Sequence, residues 1–215
     1  MKSMDRALSG AVIIGSIAVC PSLAEAHSPI NGIGTFYGHF LHPLAVPSQA
    51  LLLIAAALLL GQQDRKGARV GLVTLGLGFV AGLMVSSAGV VAGVREQLLL
   101  SGALIVGGAV CLGRRIPISL TTLAAAGAGI ALGLDSAPDS SSPREALLAF
   151  AGLVTGVLYL TTLISGLTVG LTKSWQRVGV RIAGSWIVAA SVLVLALSIA
   201  VPAKRAIAAV GLLLG

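Results

Sequence analysis

Apolar runs of about twenty residues, each closed by a short polar or basic loop, recur along this chain and leave it few ways to fold. Inside hydrocarbon every backbone N–H and C=O must find its partner within the protein, so runs of this length become membrane-crossing helices. Hydrophobic side chains make up 56% of the 215 residues and charged ones 10%. With a mean hydropathy of +1.01, that balance excludes a water-soluble domain. The expected fold is an all-α integral membrane protein: a signal peptide over residues 1–26, then one domain over 27–215, a bundle of about six transmembrane helices.

The leader is read from its own pattern. Lys2 and Arg6 form a basic start, 11–20 is apolar, and Pro21 precedes small residues at Ala24 and Ala26. Cleavage after Ala26 would make His27 the first mature residue, with its α-amino group beside the imidazole as a chelating pair. A plain processing site is the equal alternative. Cys20 would leave with the leader, and Val19 before it is too bulky for a lipidation site. Cys111 then stands alone, so the mature chain has no internal disulfide and no thiol redox pair.

After a Gly- and Pro-rich lead-in at 27–35, the spans are expected at about 36 or 42 to 61, interrupted by Pro47, then at about 70–92, 98–112, 118–134, 146–172 and 182–201, with an apolar tail from 206 too short to cross. Arg65, Lys66, Arg69, Arg114, Arg115, Lys173, Arg177 and Arg181 fall in loops at one end. Arg95, Arg144, Lys204 and Arg205 fall at the other, together with Glu96, Asp135, Asp139 and Glu145. The excess of basic residues marks the first end as cytoplasmic and the mature N-terminus as periplasmic. The net charge of +7 is spread over these loops, a topology signal that gives no reason to expect nucleic acid.

Aromatic residues are 4% of the chain against 28 glycines, so the helices are expected to pack by close backbone approach. Gly78 with Gly82, Gly89 with Gly93, Gly129 with Gly133, Gly152 with Gly156, and Gly166 with Gly170 have the four-residue spacing that allows it. The polar residues within the spans (Ser48, Gln49, Ser86, Ser87, Thr155, Tyr159, Thr161, Thr162, Ser165 and Thr168) are expected mainly to hydrogen-bond between helices. No acid, lysine or arginine occupies the middle of a span, which argues against a proton-driven pump. Catalytic triads, carboxylate pairs and phosphate loops are absent as patterns, so the chain does not read as an enzyme.

The chemistry concentrates near the start of the first span. His39 and His42, three apart, share one helix face. Counting back from residue 61 places His42 at the outer membrane surface. Asp135 ends the fourth span at a similar depth. Imidazoles with a carboxylate suit nickel, cobalt, zinc or copper, so His27, His39, His42 and Asp135 form a candidate capture site. The competing reading makes the histidines interface residues bonded to headgroups or backbone. Pro47 frees a carbonyl near Pro43, and Gln49 offers an amide oxygen as a deeper relay or, equally, as glue between helices. No tightly bound cofactor is indicated.

The segment 27–44 (HSPINGIGTFYGHFLHPL), followed by Gly133-Leu134-Asp135-Ser136 and Arg181-Ile182-Ala183-Gly184-Ser185-Trp186, resembles the HupE/UreJ family of bacterial membrane proteins along essentially the whole mature chain. The resemblance implies a nickel or cobalt permease associated with hydrogenase and urease systems, with metalloenzyme maturation proteins as candidate partners. One departure stands out: where better-known members follow the His-Pro pair after five residues with Asp-His, thought to bind the metal, this chain has Gln49-Ala50. Facilitated diffusion of the metal ion is therefore the first functional reading. The other is a non-transporting accessory or assembly protein that binds a partner through its glycine-rich helices.

Overall fold

A computed structural model describes residues 34–88, 95–138 and 142–214, with side chains at 95, 199 and beyond 200 excepted. The leader, His27, and Gly89 and Gly93 lie outside the described residues, which form seven helices and no strand. These are α1 (Gly34–Ala45), α2 (Pro47–Gly61), α3 (Arg65–Ser87), α4 (Arg95–Leu112), α5 (Ile118–Asp135), α6 (Pro143–Val169) and α7 (Ser174–Leu214).

The first span is broken. Pro47 has no N–H to return to the Pro43 carbonyl, and it forces Val46 out of the helical region to φ −96°, ψ 111°. The chain turns by 78° between α1 and α2, a sharper interruption than a proline kink in one continuous span. At 12 and 15 residues, neither half alone reaches across about 30 Å of hydrocarbon.

Among the described residues, four helices are long and apolar enough to cross a membrane, and the bent pair makes a fifth if it counts as one span. The apolar stretch of α4, Glu96–Leu112, is shorter, at the lower limit for a crossing. The other boundaries move for local reasons. Asp64 caps α3 by accepting from the Gly67 N–H at 2.8 Å, so that helix starts at Arg65, about one turn before the apolar run. Ser142 accepts from the Glu145 N–H, with Pro143 at the first helical position, and likewise advances α6. The last helix begins at Ser174, carries Arg177 and Arg181 in its first turns, and continues to Leu214, taking in most of the expected tail.

Helix α2 is the axis of the bundle. It is apolar on all sides and touches every other helix. Leu52, Leu53, Ala55 and Ala57 are fully buried. Around it, Leu77, Ile105, Leu123, Leu147, Leu167 and Leu193 lie open on the five outer long helices, an apolar exterior suited to lipid. The chain is an all-helical membrane bundle.

Because lipid tails compete with apolar side chains, the helices gain by fitting closely more than by leaving water. The tightest seam joins α3 and α5. A Cβ at Gly78 would stand 2.6 Å from the Ala126 oxygen, and one at Gly82, Gly129 or Gly133 would meet the Ile130, Leu75 or Phe79 carbonyl. Gly152 and Gly156 bring α6 against the Phe36 and Phe40 carbonyls of α1 in the same way. Gly166 faces open space, and Gly170 meets only its own helix, so that pair makes no seam.

The intramembrane hydroxyls also differ from the sequence expectation. Thr155, Thr161 and Thr168 donate to carbonyls four residues back, and Ser87 and Ser165 to carbonyls three back. A hydroxyl satisfied by its own helix needs no neighbour. Ser86, donating to the Leu134 carbonyl at 2.6 Å, and Gln49 do bridge helices in the expected manner.

Candidate functional site

Two polar pairs flank the break in the first span. On α1, half-buried His39 and His42 have ring centroids 6.5 Å apart at an interplanar angle of 33°. Two imidazoles on one ion, each bonded at roughly 2.1 Å, bring their centroids to about 6 Å or less, slightly below the separation seen here. The Nδ1–H of His39 donates to the Thr35 carbonyl at 2.7 Å. A carbonyl only accepts, so in the neutral ring this bond puts the proton on Nδ1 and the lone pair on Nε2. The same arrangement orients metal-binding histidines.

The aromatic residues and glycines hold this turn in place. Phe40 packs on Tyr159 with centroids 5.7 Å apart and stacks on Phe36 at 6.3 Å. Gly152 lies so close to α1 that a Cβ there would be 3.2 Å from His39 Cβ. The side of α6 without side chains is what seats the histidine turn.

Gln49, in the first turn of α2, is fully buried. Its Nε2 donates to Asp135 Oδ2 at 2.8 Å and lies 3.4 Å from the Asp135 carbonyl. Asp135 ends α5, the negative end of that helix dipole. Its carboxylate lies against the first turn of α2, the positive end of that helix, which offsets the unfavourable position at its own terminus. Gln49 Oε1 is buried and has no hydrogen-bond partner, which costs about 1–3 kcal/mol. An amide oxygen left open beside a carboxylate can accept a cation.

The sequence-selected residues therefore fall into two pairs, His39 with His42 and Gln49 with Asp135. Among the described residues no three His, Cys, Asp or Glu side chains converge so as to hold a metal. Sequence spacing gave no means of joining Gln49 to Asp135, 86 positions apart. Two further residues, named in the sequence but not as part of the site, lie beside it. Ser86 ties the end of α3 to the carbonyl next to Asp135. Ser136, 3% exposed, donates to the Leu132 carbonyl and closes the end of α5. Their signal was position alone, at span ends beside Asp135.

Compared with known families, the chain matches the model described as HupE / UreJ protein over residues 16–195, well over half its length. No curated protein and no solved structure gives a match. The match takes in both polar pairs and the segments Gly133 to Ser136 and Arg181 to Trp186. In the fold these segments have distinct tasks. Gly133 belongs to the α3–α5 seam, and Gly184 belongs to the α4–α7 seam, where its Cβ would stand 3.1 Å from the Gly107 oxygen. The chain belongs to the HupE/UreJ family, membrane proteins related to nickel and cobalt transport.

Proposed function

From membership in the HupE/UreJ family, we propose that this chain is an inner-membrane permease that admits nickel or cobalt ions from the periplasm by facilitated diffusion. Residues 1–26 act as a cleaved leader, the mature N-terminus is periplasmic, and the loops around Arg65, Arg114 and Arg177 are cytoplasmic. His39 and His42, with His27 from the lead-in, capture the ion at the periplasmic mouth. Gln49 and Asp135 receive it at the break between α1 and α2.

The unpartnered Gln49 oxygen beside Asp135 carries this reading. Helices interrupted within the membrane place ion-binding groups at their free ends, and irregular backbone at such depth normally lines a cavity or is buried by protein. The nitrogen ligands suit nickel and cobalt, whereas the amide–carboxylate pair is a weaker oxygen set. Strong capture followed by weak relay lets an ion leave as well as enter.

The test is uptake of radioactive nickel and cobalt by cells producing the parent or Asp135→Asn. The variant should lose at least about tenfold in rate, the scale reported for disturbed metal sites, while inserting at parental level. Uptake unchanged by Asp135→Asn, and equal to that of cells lacking the protein, would sink the permease reading. The accessory-protein reading would then take its place. It is supported by Gly127 and Gly166, which face open space on the bundle exterior and leave room for a partner helix.

A further inference from the structure

At the end of the bundle opposite Asp135, the last turns of α2, α4 and α6 and the first turns of α7 enclose a cavity of about 250 Å³. Its lining includes Gln62, Gln63, Arg115, Arg177 and Arg181, and no acid. Arg181 is fixed at the rim: its Nε–H donates to the Cys111 carbonyl at 2.9 Å. Its stem lies over Gly113, where the left-handed φ of +61° and a Cβ position 2.8 Å from Arg181 Cδ both favour glycine. Arg115 also lines the neighbouring cleft with Asp64 and Lys66, so the unshared charge comes from Arg177 and Arg181. Inside the cavity, Gln62 donates Nε2–H to the Val110 carbonyl at 3.1 Å, while its Oε1 is buried with no partner.

A second, apolar groove of about 410 Å³ runs between α6 and α7. Thr168, Leu171 and Val180 line both spaces, so the groove continues the basic cavity toward the bundle exterior. Gly179, with nothing within 4 Å of its Cβ position, keeps the groove open, and Trp175, 68% exposed, lines it.

We infer that cavity and groove together bind one anionic phospholipid, its phosphate against Arg177 and Arg181 and an acyl chain along the groove. A cationic cavity joined to an apolar groove matches an amphiphile with a negative head, and basic pockets between transmembrane helices are used in this way. A zwitterionic lipid would instead bring its ammonium group to the arginines.

Trp175 supplies the reporter once the other tryptophan is removed by Trp186→Phe. The full chain carrying that change is placed in phosphatidylcholine nanodiscs, and brominated phosphatidylglycerol or brominated phosphatidylcholine is titrated in at equal mole fraction. Bromines quench a contacting indole, and the anionic lipid should reach half-quenching at a mole fraction at least about fivefold lower. Arg177→Gln should reduce that preference, and Arg177→Gln with Arg181→Gln should abolish it, with circular dichroism unchanged. Equal quenching by the two lipids overturns the assignment. So does a preference that Arg177→Gln, the variant least able to disturb the fold, leaves undiminished. Inorganic phosphate at millimolar concentration should leave the quenching unaltered; displacement by phosphate alone would mean a soluble-anion site and refute the lipid.

Discussion

The amide of Gln49 donates to the carboxylate of Asp135 at 2.8 Å, joining the first turn of one helix to the last turn of another, 86 residues away. Because an amide both gives and accepts, the bond leaves Gln49 with a donor used and an acceptor open. A carboxylate at position 49 would instead face Asp135 as a like charge, with the open oxygen replaced by a second negative group.

Gln49→Asp should therefore raise affinity for divalent nickel or cobalt by at least about tenfold, because a second carboxylate adds charge where the amide offers only a dipole. It should also make the protein less stable without metal and more stable with it, since two adjacent carboxylates repel until a cation or proton sits between them. Thermal unfolding of the purified variant with and without nickel measures both effects. A variant whose midpoint ignores nickel would show that the pair does not face an ion.

Replacing His39 and His42 together by alanine should bring nickel and cobalt binding to background, with the bundle still inserted and monodisperse. Both side chains are only half-buried, so truncating them removes little packing. Equilibrium dialysis against radioactive metal gives the readout. Full binding by the double variant would make these histidines interface residues.

Gly82→Val and Gly133→Val should each cost about 1–3 kcal/mol or prevent folding, because the added atoms meet backbone across the α3–α5 seam. Gly127→Ala and Gly166→Ala, which meet nothing, should stay within about 0.5 kcal/mol of the parent. Thermal inactivation in detergent ranks the four. Equal losses at seam and exterior positions would contradict the packing described.

Intact mass of the purified protein should correspond to a chain beginning at His27, and a cysteine introduced at position 137 should react with a membrane-impermeant reagent from the periplasm. A retained Met1 would remove the His27 amine from the proposed capture site. Labelling only from the cytoplasmic side would reverse the orientation.

Hydropathy alone placed the long helices, since a twenty-residue apolar run has one stable form in lipid. Glycine spacing located the Gly78/Gly82, Gly129/Gly133 and Gly152/Gly156 contacts for a related reason, because only a missing side chain lets two backbones touch. It misplaced Gly166 and Gly170, which have the same spacing and no neighbour. The hydroxyls misled in the opposite sense, since a threonine can satisfy itself on its own helix and sequence does not reveal which carbonyl it chooses. Pro47 announced an interruption, but the 78° turn depends on where α1 finds its support, a tertiary matter. For the site, spacing was enough to pair His39 with His42. The link from Gln49 to Asp135 depends on which helices become neighbours, and no local pattern encodes that.

The corner at Val46 divides the site between two mechanical bodies. Helix α1 carries His39 and His42 and is fastened chiefly to α6, through Gly152, Gly156 and the Phe40–Tyr159 contact. Gln49 rides on α2, which the rest of the bundle grips from all sides. The bend at this one residue sets the gap between the imidazoles and the amide, while the α3–α5 seam and the Gln49–Asp135 bond lie wholly outside α1. The chain thus places the two proposed ligand pairs, one of nitrogens and one of oxygens, on opposite arms of the 78° bend, in the one span that proline prevents from being straight.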